Sequence, residues 1–493
     1  MRIVEENVES APVAPSEFAR RQRAARAARV AEIDALADRR DEFRRKNAYY
    51  YAEIERLAKF FIPPGKSVLE IGCSTGDLLA ALRPSRGVGI DISPRTVEIA
   101  RQKHPGLDIR VGDAEELDLD ETFDYVVLSD VVGYLDDVLA ALRLLRRVMG
   151  PESRLLLTFY NFLWQPALDL GRVLGRKMPV PEQNWLGLKD IDNLLHLAGL
   201  EVVQSGTAVL LPIDAGPVSA LANRLLARAP GLRHLSLVQY FLARPRWQDA
   251  APPRPRTCSV VVPCKNERGN VADIFARTPD LGAGTELIFV DGNSDDGTVE
   301  EIERLMPTRR RTRLIHQGDG KGKGDAVRKG FAAASGDILF ILDADLTVPP
   351  EDLPHFYRAL VEGHGEFVNG TRLVYPMEGE AMRFLNLVGN KFFSVAFTYI
   401  LGRSIKDTLC GTKVLTREGY QKIADGRAFF GDFDPFGDFD LLFGAARAGL
   451  KIVEVPVRYR ARTYGDTKID RFRHGWLLLR MTALAFVKFK LTV

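Results

Sequence analysis

The stretch "FILDADLTVPPED", Phe340–Asp352, runs an apolar segment with the look of a buried strand straight into Asp343 and Asp345. Residues two apart on a strand project from the same face, so the pattern predicts two carboxylates side by side. Adjacent negative charges are costly unless something positive lies between them. A divalent cation meets that need, and hard carboxylate oxygens select Mg2+ or Mn2+. Such ions commonly complete their coordination with phosphate oxygens, so the rest of the chain is read for a phosphate-bearing ligand.

The 493 residues are too many for one ordinary core and predict two or three domains. With 46% hydrophobic and 27% charged residues and a net charge of +3, the composition is that of a globular protein. It carries no mark of a nucleic-acid binder. Four scattered cysteines, Cys73, Cys258, Cys264 and Cys410, give neither a disulfide framework nor metal-type pairs and fit a reducing cytosol. The first residues hold no apolar signal core and mix acids with arginines, against a transit peptide.

Residues 1–47 read as a helical arm rich in Ala, Arg and Glu. From residue 48 to 243, strand-like runs ("SVLEIG", "GVGIDI", "DIRVGD", "FDYVVLSD", "RLLLTFY") alternate with helical ones, the pattern of a wound parallel sheet. The Pro/Arg-rich stretch 244–256 reads as an extended linker. A second α/β series occupies 257–470 ("SVVVPC", "ELIFVDG", "RLIHQG", "DILFILDAD", "EFVNGT"), with no sequence repeat between the halves.

In the first series, "VLEIGCSTGDLLAAL" sets Glu70, Gly72 and Gly76 at a strand-to-helix turn, where glycine lets backbone approach a ligand. "GVGIDIS" brings Asp91 to the end of the next strand, where an acid commonly holds a ribose hydroxyl pair. "VGDAEEL" adds Asp113 to the same rim. "EIGCSTG" resembles the first motif of class I S-adenosylmethionine-dependent methyltransferases more than it does G-x-G-x-x-G. That resemblance covers about residues 48–210 and implies a Rossmann-like fold with S-adenosylmethionine as cofactor. Gly72 and Gly76 would lie by its methionine part, Asp91 by its ribose, Asp113 and Ala114 by its adenine, with Glu70 and Ile92 also among the cofactor-binding residues. Where many relatives carry Glu-His, "SDVVGYLDD" has Gly133 and Tyr134, so a histidine base is absent there. His196, on a helix-like run, reads as an ordinary surface or core histidine. Trp164 and Trp185 are candidates to roof an acceptor pocket or simply to pack.

In the second series, "CSVVVPCKNERGNV" presents Pro263 and Glu267, and "ELIFVDGNSDDGT" presents Asp291 before a polar turn. The Gly/Lys loop "HQGDGKGKGDAVRKGF" suits a diphosphate, offering lysines and free amides. With the Asp343/Asp345 pair, these residues resemble family 2 glycosyltransferases of the GT-A fold, especially those acting on polyprenyl phosphates or other membrane lipids. The resemblance implies a nucleotide-sugar donor bound by Pro263, Glu267 and Asp291, with Lys323 on its phosphates and a Mg2+ or Mn2+ ion on Asp343 and Asp345. It assigns catalysis to Asp438 together with Asp343 and Asp345, and predicts inversion. Gly292 stands where the family usually has a second acid. The pattern in "VRYRARTYGDTKI" resembles a late motif of lipid-phosphate transferases. It implies an acceptor-phosphate site built from Arg372, Lys391, Arg458, Arg462 and Lys468, arginine forks being suited to phosphate.

No segment reaches the roughly 20 apolar residues needed to span a bilayer. Within residues 471–493, Arg473, Arg480 and Lys488 fall on one helical face, with Trp, Leu, Met and Phe on the rest. That is the pattern of an in-plane interfacial helix; a buried capping helix is the other reading. The sequence thus predicts an α/β fusion: a methyltransferase domain, then a GT-A domain and a C-terminal amphipathic helix. It would act on a lipid-phosphate or glycan acceptor at the inner face of the cell membrane, touching that membrane peripherally. In the competing reading, one half is a ligand-binding or membrane-scaffold module.

Overall fold

The computed structural model describes residues 17–179, 183–229, 231–246, 255–320, 322–372, 384–429, 437–457, 460, 462, 464 and 471–491. Strands β1 Ser67–Ile71, β2 Arg86–Asp91, β3 Asp108–Val111, β4 Phe123–Ser129, β5 Met149–Tyr160, β6 Leu200–Ala208 and β7 Val238–Pro245 form one sheet. Its order is β3-β2-β1-β4-β5-β7-β6, parallel except for β7. Strands β8 Cys258–Cys264, β9 Thr285–Asp291, β10 Thr312–His316, β11 Ile338–Ile341, β12 Phe367–Thr371, β13 Lys413–Thr416 and β14 Ile452–Pro456 form the other. There the order is β10-β9-β8-β11-β13-β12-β14, with β13 antiparallel.

Helices cover both faces, so the central strands are apolar throughout rather than alternating; Val260, Val261 and Val262 are all fully buried in β8. In each sheet the first strand neighbours the fourth, and the winding reverses direction between them. Wound sheets bind ligands at such a reversal, beyond the carboxyl ends of the strands. The two reversals lie between β1 and β4 and between β8 and β11.

Two sequence expectations shift. Strand β11 stops at Ile341, so Asp343 and Asp345 lie in the following turn and two-residue alternation does not govern them. Strand β7 includes Arg244 and Pro245, the first residues of the stretch read as linker. All four cysteines are free and buried.

The N-terminal arm is a helix, Glu17–Ala35, followed by shorter turns and the helix Ala48–Phe61. Its polar side chains are tied to the rim of the first sheet. Asp34 accepts from Ser93 Oγ at 2.6 Å and from the Arg95 amide at 2.9 Å, and Arg40 donates to Ser74 Oγ at 2.9 Å. At the other end of the chain, the helix Arg471–Phe486 and the turn after it bury Leu478, Met481, Ala485 and Phe489. Phe489 packs on Phe60 of the first half with ring centroids 5.8 Å apart. Trp476 and Leu479 stay exposed.

The halves are joined by buried charges. Arg154, midway along β5, meets both oxygens of Glu366 at 2.7 Å and donates from Nε to the Gly449 carbonyl at 2.8 Å. Arg244 reaches Glu366 at 3.1 Å and Glu201, and donates to the Gly363 carbonyl at 2.7 Å. Lys451 also pairs with Glu201. Glu366 immediately precedes β12 and Lys451 immediately precedes β14, so the contact joins the amino ends of parallel strands in both sheets.

Burial pushes the Glu366 carboxyl up, but Arg154 and Arg244 outweigh it and hold the group down to about 2, against an ordinary 4.5. A depressed carboxyl adds stability that is full above its unfolded pKa and is lost as pH falls. Urea unfolding is therefore expected to show the halves losing mutual protection between about pH 4.5 and about pH 2. Glu366→Gln, which leaves two buried guanidiniums short of a charge, is expected to cost about 3–5 kcal/mol at neutral pH.

Candidate functional site

The reversal of the first sheet opens into a cavity of about 480 Å³. Its lining includes Glu70, Gly72, Asp91, Ile92, Asp113 and Ala114. Gly72 has φ +68° and Gly76 φ +76°, both left-handed, and a Cβ on Gly72 would collide with the Val131 side chain. Glycine is therefore required at 72 by the turn and by the close approach of β4's exit loop. The Asp91 carboxylate accepts from the Ser74 amide at 2.9 Å and the Ser93 amide at 3.0 Å, which fixes its orientation at the strand end. Asp113 accepts from the Glu115 amide at 2.9 Å and pairs with Arg26 of the N-terminal helix. Arg29 of the same helix donates to the Tyr134 carbonyl at 2.9 Å.

Glu70 is 3% exposed, and its Oε2 has no hydrogen-bond partner. Burial pushes its carboxyl up to about 8. A buried, under-satisfied acid beside a glycine turn suits the ammonium of a bound amino-acid group, which supplies the missing charge and donors. The residues present therefore fit an S-adenosyl cofactor.

Gly133 and Tyr134 stand in a single turn after β4. Trp164 lines the cavity and donates from Nε1 to the Leu235 carbonyl at 2.7 Å; Trp185 is not among the lining residues. His196 is exposed and faces Arg246 rather than the cavity. The sequence reading passed over Arg26, Tyr50, Asp130, Tyr160 and Lys177, all of which line the cavity. Asp130 alone had a signal, being an acid at a strand's carboxyl end as Asp91 is.

At the reversal of the second sheet, Lys323 Nζ lies 2.6 Å from Asp343 and Arg462 Nη2 lies 2.6 Å from Asp345. Arg462 also approaches Glu267 at 3.8 Å. Asp345 is held from behind by the Thr347 amide at 3.1 Å and its hydroxyl at 2.8 Å. Burial pushes the Asp343 carboxyl up, but Lys323 foremost, with Lys413 and Arg372, holds it below the ordinary carboxylate range. Lys413 is fully buried behind it. A Cβ on Gly411 would collide with both Asp343 and Lys323, so that residue keeps the approach open. Two carboxylates at one sheet edge form a donor set that fits a hard divalent ion whose remaining ligands come from phosphate.

Asp291 accepts from the Asn293 amide at 3.1 Å and from Ser294 Oγ at 2.5 Å, shaping its own turn. Glu267 accepts from Asn270 at 2.8 Å. Pro263 is half-buried near the end of β8. Arg372 is gripped by buried Asp407 through Nε at 2.7 Å and Nη2 at 2.8 Å, and Lys391 is exposed on the helix Phe384–Leu401. The backbone of Asp438 opens the helix Asp438–Arg447. Arg458 and Lys468 lie outside the described residues.

Comparison with known proteins agrees with this division. The model of glycosyl transferase family 2 matches residues 259–424, and a methyltransferase-domain model matches residues 40–205. A dolichyl-phosphate hexose transferase of Haloferax volcanii is 31% identical over 220 residues, covering 44% of this chain and 88% of that protein. The chain belongs to glycosyltransferase family 2, fused to a methyltransferase domain. The dolichol-phosphate mannosyltransferase of Pyrococcus furiosus is 30% identical over 234 residues, covering 45% of this chain; the match spans only 63% of that relative's own length. Among solved structures, a Haloferax volcanii putative methyltransferase in complex with the activator Trm112 overlays 43% of this chain and 97% of its own (TM-score 0.35, 20% identity). Glucosyl-3-phosphoglycerate synthase of Mycobacterium tuberculosis, solved with Mn2+ and UDP, overlays 48% and 80% (TM-score 0.36, 22% identity).

A cationic ligand beside Glu70 stabilises the ionised carboxylate, so binding expels the proton that burial retains. Calorimetry of S-adenosylhomocysteine binding near pH 7, repeated in buffers of different ionisation enthalpy, is expected to show release of about one proton. Glu70→Gln is expected to abolish that release.

Proposed function

We propose that the C-terminal half transfers a sugar, with inversion, from a nucleotide-sugar to a polyprenyl-phosphate acceptor, and that the N-terminal half methylates a sugar or related small molecule. The observation that carries the first part is the grouping of Lys323, Asp343, Asp345, Arg462 and Glu267 at one sheet reversal. It falls in the region similar to relatives named as dolichol-phosphate glycosyltransferases.

In this reading Asp343 and Asp345 hold a divalent ion, which when bound offsets the charge developing on the leaving diphosphate. Lys323 supplies a cation for phosphate oxygens at the same edge. Glu267 and Asp291 are fixed acceptors for nucleoside hydroxyl and base donors. A phosphate acceptor is already anionic at neutral pH and needs no base, so Asp438 positions rather than deprotonates it. Arg462 and Lys391 are the described members of the acceptor-phosphate set, joined by Arg458 and Lys468. Arg372, clamped by Asp407, acts by fixing the wall next to Asp343.

Among the described residues no helix is long and apolar enough to cross a membrane. Exposed Trp476 and Leu479 give the C-terminal helix an apolar contact with a lipid surface while its other side packs on the protein. This supports peripheral attachment, which we place in this proposal at the cytoplasmic face.

The test is transfer of labelled sugar from UDP- and GDP-linked donors to a short polyprenyl phosphate, with Mg2+ or Mn2+. Chelation is expected to stop it and metal to restore it. Asp343→Asn is expected to lower the rate by about 100-fold or more. Parental activity in that variant would refute the metal-carboxylate assignment.

A further inference from the structure

The cavity of the first half holds a polar cluster apart from the cofactor residues. Asp130 lies one residue past β4 with φ 57°, a left-handed conformation that a residue other than glycine adopts at a cost. Asp130 is one of the residues that line the cavity. Thr158, on β5, donates from Oγ1 to Asp130 Oδ1 at 2.9 Å and accepts the Asp130 amide at 3.1 Å. The Tyr50 hydroxyl, from the helix Ala48–Phe61, donates to Oδ2. The other ionisable groups facing this carboxylate are Tyr51, Tyr134, Tyr160 and Lys177. Burial pushes the Asp130 carboxyl up, while its hydroxyl donors partly oppose that shift. Burial lowers the Lys177 amine, whose Nζ sits 5.2 Å from the centre of the Tyr160 ring.

The neighbouring turn explains why the acid is here and not three residues later. The Gly133 carbonyl accepts the Asn184 amide at 2.6 Å, and a Cβ at 133 would come within 3.1 Å of the Asn184 carbonyl oxygen. That position has little room for a side chain, and Asp130 fills the cavity wall in its place.

We propose that the methyl acceptor is a hydroxyl compound and that Asp130 is its general base, held in position by Tyr50 and Thr158. The proposal rests on the methyltransferase reading of this half. The acceptor oxygen bonds to the methyl carbon of the sulfonium donor. The carbon–sulfur bond breaks and its electron pair stays on sulfur, leaving a neutral thioether. The hydroxyl proton passes to Asp130. Without that transfer the attacking oxygen would become a costly oxonium; a thiolate or amine acceptor would not need the step.

The experiment uses the full chain with the variants Asp130→Asn, Tyr50→Phe and Glu70→Gln. Methyl acceptors are the polyprenyl-phosphate hexose made by the other half and the methyl glycosides of glucose, mannose and galactose. S-adenosylhomocysteine affinity is measured alongside. Asp130→Asn is expected to lower methyl transfer by about 100-fold or more, with affinity within about twofold of the parent. Tyr50→Phe is expected to shift the pH profile of methyl transfer, with a smaller loss of rate. In difference infrared spectra, a protonated-carboxyl band titrating above the ordinary aspartate range is expected to vanish in Asp130→Asn and persist in Glu70→Gln. Unchanged methyl transfer in Asp130→Asn, or a loss matched by lost affinity, overturns the proposal. So does the absence of methylation on every hydroxyl probe while S-adenosylhomocysteine still binds. Failure of the parent to bind S-adenosylhomocysteine overturns the methyltransferase reading itself.

Discussion

Glu366 sits between two arginines that reach it from the other half of the chain, and the arrangement of the molecule depends on that contact. Arg154 and Arg244 are almost wholly buried, so each carries a large desolvation cost that only a correctly placed carboxylate offsets. Glu201 and Lys451 extend the cluster, and the Gly363 and Gly449 carbonyls take further guanidinium protons. Such a network tolerates little displacement, because any shift strands a charge away from water. A continuous apolar cluster that includes Phe61, Tyr125 and Leu242 of one half and Phe397, Phe443 and Leu450 of the other packs beside it. The aromatic packing of Phe60 against Phe489 and Phe429 then seals the junction.

The two reversals solve opposite electrostatic problems with a carboxylic acid in each. Glu70, buried, and Asp343, half-buried, are both acids beyond or at the carboxyl ends of parallel strands. Glu70 has one unsatisfied oxygen and is pushed toward its neutral form. Asp343 is ringed by Lys323, Lys413 and Arg372 and is kept ionised despite its burial. The first is thereby suited to receive positive charge only when a ligand brings it. The second offers a permanent anion for a hard cation. Glu70 is 3% exposed and the Asp343 side chain 25%, so deeper burial of the first and the cations around the second together set the difference.

The division into two wound sheets was legible because parallel strands covered on both faces leave unbroken apolar runs, and every run quoted from the sequence became a strand. Strands β6, β7, β13 and β14 escaped notice: they belong to the antiparallel or outer parts of the sheets, where short segments such as "KVLT" have no distinctive period. The glycine turn and the acids Asp91, Asp113, Asp291 and Asp343 were visible because strand ends that face a ligand break the apolar pattern abruptly. The alternation argument for Asp345 did not carry, since the strand had already ended. Arg244 looked like linker by composition, yet its role comes from Glu366, more than a hundred residues away. The same holds for Arg26 and Arg29, whose partners on the rim are set by folding and not by anything local to an Ala/Arg-rich helix.

Because the junction uses the amino ends of the strands in both sheets, the two functional edges point away from each other. The covalent fusion acts as a ratio-keeper between them, guaranteeing one copy of each domain per chain.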